Sequence, residues 1–243
     1  WIGGMFFLIA IVGTFGSKRV KIKPTNLVSN ISFSGNYYND FIFNSLKIFL
    51  IYFITTIIII FAYNVVNIRF FDSVNLALTT ISAGGFISKD DLSSIITNDW
   101  QIVTLSATFL FPIFNFYFFY KIISKQFKIR EHHEDFHLAT IIILTILIFY
   151  FFILPDVNIS SFFLAITSSL STSGIGLHFS NFNISIFLIL LTIIGGSLIS
   201  TSSGIKYIRI YILLKVSYQE IYRLVKPINI FNRNLFHSES KIN

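Results

Sequence analysis

The 243-residue chain contains no cysteine, which removes disulfide frameworks and thiolate metal sites at once. Charge is nearly as scarce. Asp, Glu, Lys and Arg make up 12% of the residues, against 54% hydrophobic and 18% aromatic, with a mean hydropathy of +0.74. A soluble domain carries about a quarter charged residues, so the solvent this composition fits is lipid. Catalytic patterns are missing too: there is no nucleophile elbow, no Walker loop and no dinucleotide-binding glycine pattern, and an enzyme is not expected. Residues 1–15 lack a basic leader and a small-residue cleavage site. With Trp1 at the start, the chain is expected to be an internal piece of a longer protein.

What is present is a series of apolar runs at residues 48–66, 102–120, 137–154 and from 184 onward. Each approaches the roughly 20 residues that a spanning helix needs. Charge is distributed by side. Of the 18 basic residues, 16 fall in the segments after Gly16, between Tyr120 and His137, and after Gly204. The two intervening segments hold only Arg69 and Lys89 among basic residues, against Asp72, Asp90, Asp91, Asp99 and Asp156. This alternation follows the positive-inside rule and puts the basic segments in the cytoplasm. The net charge of +7 is thereby used up by topology, and no nucleic-acid partner is expected.

The two outer segments share a pattern. FDSVNLALTTI (residues 71–81) and SSFFLAITSSLS (residues 160–171) suit helices of about three turns, roughly half a bilayer. Each ends in a glycine-containing turn, Ser82-Ala83-Gly84-Gly85-Phe86 in one and Thr172-Ser173-Gly174-Ile175-Gly176 in the other. Gly84 and Gly174, 90 positions apart, are expected to correspond and to be the positions least tolerant of a Cβ. The fold class predicted is therefore an all-α membrane protein built from repeats of span, re-entrant half-helix with its loop, and span. Irregular backbone at membrane depth is tolerated only when buried in protein or lining a water-filled path. Carbonyls on such a path replace the hydration shell of a cation, with neighbouring Ser and Thr hydroxyls as further oxygen ligands. The other reading is close helix packing by small residues.

In this order and spacing the motifs resemble the TrkH and KtrB potassium transporters of bacteria, within the wider Trk, Ktr and HKT superfamily. WIGGM (residues 1–5) is similar to the second span of that family's first repeat, although Phe6 stands where a further glycine is usual. TTISAGGF resembles the second-repeat filter, STSGIGL the third, and GGSLISTSSGIKYIRI the stretch that interrupts the third repeat's second span. The resemblance implies a potassium pathway through filter carbonyls of Ser82, Ala83, Gly84, Gly85, Phe86, Thr172, Ser173, Gly174, Ile175 and Gly176, which would be two of four filter loops. It implies a gating loop of Gly195, Gly196, Ser197, Ser200, Thr201, Ser202, Ser203 and Gly204. Ser202 and Ser203 occupy positions that the family often fills with glycine. On this reading residues 1–15 end a first repeat, 41–124 form the second, 137–216 the third, and 217–243 a cytoplasmic continuation. Further implications are potassium as the transported ion with no covalently bound cofactor, a homodimer of full-length chains, and a cytoplasmic TrkA- or KtrA-type nucleotide-binding regulator. The location implied is the bacterial inner membrane, with filter loops opening outside.

Three other features carry expectations. The run from residue 183 to 215 would reach about 50 Å as one helix, beyond a ~30 Å core, so a break is predicted at its small and hydroxylic centre. Arg130-Glu131-His132-His133-Glu134-Asp135-Phe136-His137 places His133 and His137 four apart, as metal ligands on a helix face are. His178 and His237 stand alone, so a solvated loop and a helix start with acids in its first turn is preferred to a histidine-box oxidoreductase. Asn115, beside Pro112, is read as an interhelical hydrogen bond at a proline kink. A non-conducting structural subunit is the remaining alternative.

Overall fold

A computed structural model describes residues 1–15, 37–116, 118–119, 133–152, 158–176 and 182–225, and every regular element among them is helical. In chain order these are α1 (Ile2–Phe15), α2 (Tyr37–Val65), α3 (Phe70–Ser82), a 3-10 turn (Leu92–Ser94), α4 (Asp99–Thr108), α5 (Leu110–Ile113), α6 (His133–Phe152), α7 (Ile159–Ser171), α8 (Phe182–Ile194) and α9 (Tyr207–Val225). The basic segments 18–36 and 121–132, the chain end from 226, His132, His178, and the side chain of His133 lie outside the described residues.

Helix α2 shows how the lipid-type composition is used. Its residues 41–65 are the one described helix that is by itself long and apolar enough to cross a membrane. Ile48, Ile51, Tyr52, Thr55, Thr56, Ile59 and Tyr63 are buried, a helical stripe at three- and four-residue spacing. Phe53, Ile54, Ile57, Ile58 and Phe61 are exposed on the other side. An apolar residue on both faces is what a helix between protein and lipid requires. The hydroxyls on the buried stripe are satisfied locally, Thr55 Oγ1 donating to the Ile51 carbonyl (2.8 Å) and Thr56 Oγ1 to that of Tyr52 (2.7 Å). Trp1 Nε1 donates to Thr56 Oγ1 at 3.0 Å, and the Tyr52 hydroxyl to the Trp1 carbonyl at 3.1 Å, fixing α1 on α2. Asn67, at φ 60°, ends α2 in a left-handed turn, a role Asn fills more readily than other side chains.

The apolar run 102–120 does not form a single helix. Helix α4 stops at Thr108, the four-residue α5 follows, and Phe114 is extended at φ −82°, ψ 162°. Proline at 112 has no N–H to give and crowds the carbonyl four residues earlier, which a hydropathy count does not register. The run 183–215 breaks as expected, between α8 and α9. The two breaks are paired. Ser197 N donates to the Ile113 carbonyl (2.8 Å), Ser202 N to that of Pro112 (3.1 Å), and Phe116 N to that of Ile199 (3.0 Å). Backbone freed in one broken helix is bonded by backbone freed in the other.

Helix α7 lies at the centre, packed on α4, α8, α6 and α5, while α3 packs on α2, α1 and α5. Ahead of α3 and α4, the sequence places polar residues that stitch helix ends together: Gln101 Oε1 accepts from Thr97 N at 2.8 Å and its Nε2 donates to the Val66 carbonyl at 3.0 Å. The buried Tyr63 and Thr108 hydroxyls share a 2.5 Å hydrogen bond between α2 and α4. Tyr63→Phe should lower stability by about 0.5–1.5 kcal/mol, read as a lower melting temperature of the detergent-solubilised protein, whereas Phe53→Leu on the lipid face should leave it unchanged.

Candidate functional site

The site is built from two helices that stop short. Helices α3 and α7 have 13 residues each, about 20 Å at 1.5 Å per residue and too short to cross a ~30 Å core. Both end on a non-glycine residue in the left-handed conformation, Ala83 at φ 52°, ψ 37° and Thr172 at φ 61°, ψ 22°. The closing bonds match. Ala83 N donates to the Thr80 carbonyl (3.2 Å) and Gly84 N to that of Thr79 (2.9 Å), while Thr172 N donates to Ser169 (3.0 Å) and Ser173 N to Ser168 (3.1 Å). This is a Schellman ending in each copy. The next residue but one again has positive φ, Gly85 at 74° and Gly174 at 68°.

These pairings fix the internal register at 89 positions, from Phe70 and Ile159 at the helix starts to Ala83 and Thr172 at their ends. Gly174 therefore corresponds to Gly85, and the correspondence with Gly84 expected from the sequence is corrected. Gly84 does not have positive φ, and a Cβ there would meet nothing nearer than the Ser82 hydroxyl at 3.1 Å. At Gly85 a Cβ would collide with the Ser173 carbonyl oxygen. The two turns thus touch through main chain, Gly85 against Ser173. Gly176 has open space around it and no positive φ. Phe86 and Gly174 are exposed, and Ile175 is buried. An open cavity of about 240 Å³ lies beside the first turn, lined by Trp1, Thr79, Ser82, Gly84, Phe86 and Ser88 among others.

The hydroxyls expected as ion ligands are engaged in bracing the turns. Thr79 Oγ1 accepts from Phe86 N at 2.8 Å, across the turn. Ser82 Oγ donates back to the Leu78 carbonyl at 2.7 Å. In the second copy Ser168 and Ser171 both reach Ser173 Oγ at 3.1 Å. Ser88 Oγ donates to the buried carboxylate of Asp72 at 2.6 Å, tying the segment after the first turn to the start of α3, where an acid also complements the helix dipole.

Beneath the turns lies the break between α8 and α9. Gly195 and Gly204 have positive φ (67° and 86°), as has Lys206 (74°). Gly195 and Gly204 sit backbone to backbone: a Cβ at Gly195 would strike the Ser203 carbonyl oxygen, and one at Gly204 would meet the Thr192 carbonyl oxygen and the Gly195 main chain. Residues 195–202 are buried, whereas Ser203 and Gly204 are exposed. The loop bonds to the inner end of each half-helix: Thr201 Oγ1 donates to the Ile81 carbonyl (2.7 Å), and Ser203 N and Oγ each donate to Thr172 Oγ1 (2.9 Å). Ser202 Oγ accepts from Gly196 N at 2.9 Å, and Ser200 Oγ donates to the Ser197 carbonyl at 2.7 Å.

Three charged residues that the sequence reading had left to solvent belong to this assembly. Lys206 is buried, its Nζ donating to the Ser200 carbonyl (3.1 Å), Ser200 Oγ (3.0 Å) and the Ser202 carbonyl. Glu134 and Asp135, expected on a solvated helix start, are 4% and 2% exposed. Glu134 Oε1 accepts from Leu198 N at 2.8 Å, and Asp135 Oδ1 from Asn115 N at 2.9 Å. His137, exposed, faces Tyr207. Among the described residues no group of His, Asp and Glu is arranged to hold a metal ion. The signal available for the acids was their position, directly against an apolar run.

The torsions generate a stability prediction. Gly85→Ala should be strongly destabilising, through the left-handed torsion, about 1–2 kcal/mol, and through the Ser173 carbonyl; Gly84→Ala should cost far less. Thermal unfolding of both variants in detergent checks the order, and equal melting temperatures would place the register back at Gly84.

No family model matches the chain. It is 29% identical over 188 residues to the Trk system potassium uptake protein TrkG of Escherichia coli K12, an alignment covering 72% of this chain and 39% of TrkG. It is 27% identical over 181 residues to an uncharacterized cation transporter of Methanocaldococcus jannaschii, covering 73% of this chain and 37% of that protein. The crystal structure of the potassium transporter TrkH from Vibrio parahaemolyticus superposes with a TM-score of 0.77 at 19% identity, over 95% of this chain and 49% of that one. The chain spans about two fifths of the length of the curated relatives it matches. In sequence the chain is similar to the Trk potassium uptake protein TrkG, and in fold it is an all-helical chain built on the TrkH architecture.

Proposed function

We propose that the chain is a pore-forming part of a potassium uptake transporter, in which residues 82–86 and 172–176 supply two of the carbonyl-lined strands along which the ion moves. The observation that carries this reading is the meeting of two half-helix turns, Gly85 against the Ser173 carbonyl, in a chain otherwise suited to lipid. Each helix C-terminus presents the equivalent of roughly half a negative charge, and two directed to one place favour a cation. Main-chain oxygens suit a hard monovalent ion, since they replace its water without adding a net charge that would hold it. Potassium as the cargo is taken from the relatives, TrkG being a potassium uptake protein and TrkH a potassium transporter. Transport of this kind makes and breaks no covalent bond and needs no covalently bound cofactor.

The remaining strands of the ring are supplied, on this reading, by the rest of the full-length protein. The loop of residues 195–204 obstructs the path below the turns until it shifts. The full-length protein pairs as a homodimer in the bacterial inner membrane, with the basic segments cytoplasmic and a TrkA- or KtrA-type regulator bound there.

Two experiments test the proposal. Tags inserted at residues 18–36 and 125–134 of the full-length protein should be cytoplasmic and tags near Asp90 outside; Asp90 and Lys125 on one side would remove the pore reading. Rubidium and potassium uptake with sodium competition tests the turns. At matched membrane levels Gly85→Ser and Gly174→Ser should lose about tenfold in potassium preference, the equivalent of 1–2 kcal/mol of torsional strain, while Gly3→Ser in α1, where a Cβ meets open space, should behave as wild type. Wild-type selectivity in both turn variants would make these packing glycines.

A further inference from the structure

The loop below the turns is held from outside itself, and two of the side chains that brace it and the break paired with it lie on one turn of one helix. We infer that the first turn of α6 positions that loop, with Glu134 and Asp135 as a two-pronged anchor, each carboxylate taking a main-chain N–H from a different broken helix. The inference rests on the reading of residues 195–204 as the lower part of the ion path, and deepens it.

The chain of contacts is continuous. Asp135 Oδ1 accepts from Asn115 N at 2.9 Å, directly after the Pro112 break. Glu134 Oε1 accepts from Leu198 N at 2.8 Å, in the middle of the loop. Between these two points the breaks are bonded to each other through Ser197 N, Ser202 N and Phe116 N. From the loop, Thr201 reaches the carbonyl that ends α3 and Ser203 reaches Thr172 at the end of α7. The first turn of α6 is thereby linked to the underside of both turns through two hydrogen-bonded steps from Glu134 and three from Asp135.

The choice of side chains fits the groups held. Each of these two side chains takes, on a carboxyl oxygen, an N–H that the broken helix has released. Lys206 donates, and it takes the Ser200 and Ser202 carbonyls on the far limb of the loop. Acceptor and donor side chains, Glu134 and Lys206, grip opposite polarities of the loop's main chain. A helix start needing nothing but solvation would leave both acids in water; instead each is at least 95% covered. Asp135 and Glu134 are successive in sequence, so the helix points them to different sides, as an anchor between two separate breaks requires.

The test uses the full-length transporter in its membrane, with native cysteines replaced. Ser197 is fully buried and its Oγ has no hydrogen-bond partner among the described residues, so Ser197→Cys introduces a thiol at little cost. Its labelling by N-ethylmaleimide reports how tightly the loop is held. Glu134→Gln keeps an oxygen for Leu198 N and should label at the unmodified rate, whereas Glu134→Met, of similar volume without an acceptor, should label roughly threefold faster or more, as the loss of one buried hydrogen bond implies. Asp135→Asn and Asp135→Leu form the second pair, read the same way, so a Glu134→Met protein that fails to reach the membrane leaves the inference testable. In the Met and Leu variants maximal rubidium uptake should rise by a similar factor with sodium competition unchanged, and shortening residues 197–203 should abolish the difference between Glu134→Met and Glu134→Gln. Equal labelling in acceptor-keeping and acceptor-lacking variants overturns the anchor. Faster labelling with unchanged uptake upholds the anchor and overturns the loop's part in the ion path.

Discussion

A backbone N–H or C=O buried away from water must be bonded to something, and in hydrocarbon the penalty for leaving it open is several kcal/mol. Among the described residues four helix ends stop inside the protein, two in the short helices α3 and α7 and two in the breaks after α4 and α8. Most of the architecture is an answer to the question of where their freed groups go. The half-helices close on themselves through Schellman endings. The breaks close on each other, amide to carbonyl, and the surplus goes to Thr201, Glu134, Asp135 and Lys206. An irregular path can persist in lipid only because this accounting is nearly complete.

The requirement also explains why hydroxyl side chains are concentrated where they are. Thr79, Ser82, Ser171, Ser173 and Ser202 are short enough to reach main-chain groups one turn or one strand away. A longer amide or charged side chain would overreach, and an alanine would leave an N–H such as that of Phe86 without its acceptor. Their chemistry is therefore directed at the backbone.

Much of this was legible in the sequence. Short runs of 11 and 12 residues marked α3 and α7, and small residues marked the break after α8. The register slipped by one because glycine identity was used to align two turns, Gly84-Gly85 against Gly174, whereas the structure aligns torsions. The break after α4 escaped because Pro112 sits in an unbroken apolar run, and hydropathy measures transfer into lipid without regard to a missing N–H. Glu134 and Asp135 were assigned to water by the general rule that charge is exposed. Their partners are main-chain amides 20 and 64 positions away, and no local pattern encodes such a pairing.

The doubled turn has a consequence for how the two copies relate by descent. Across positions 83–86 and 172–175 the residues read Ala-Gly-Gly-Phe and Thr-Ser-Gly-Ile, with one identity in four. The torsions, the closing bonds and the 89-residue offset are nevertheless kept. The likeness is stored in dihedral angles, and only the glycine that abuts the Ser173 carbonyl, with its counterpart, has been denied a side chain in both copies. A site assembled from such copies has the symmetry of its main chain and the individuality of its side chains.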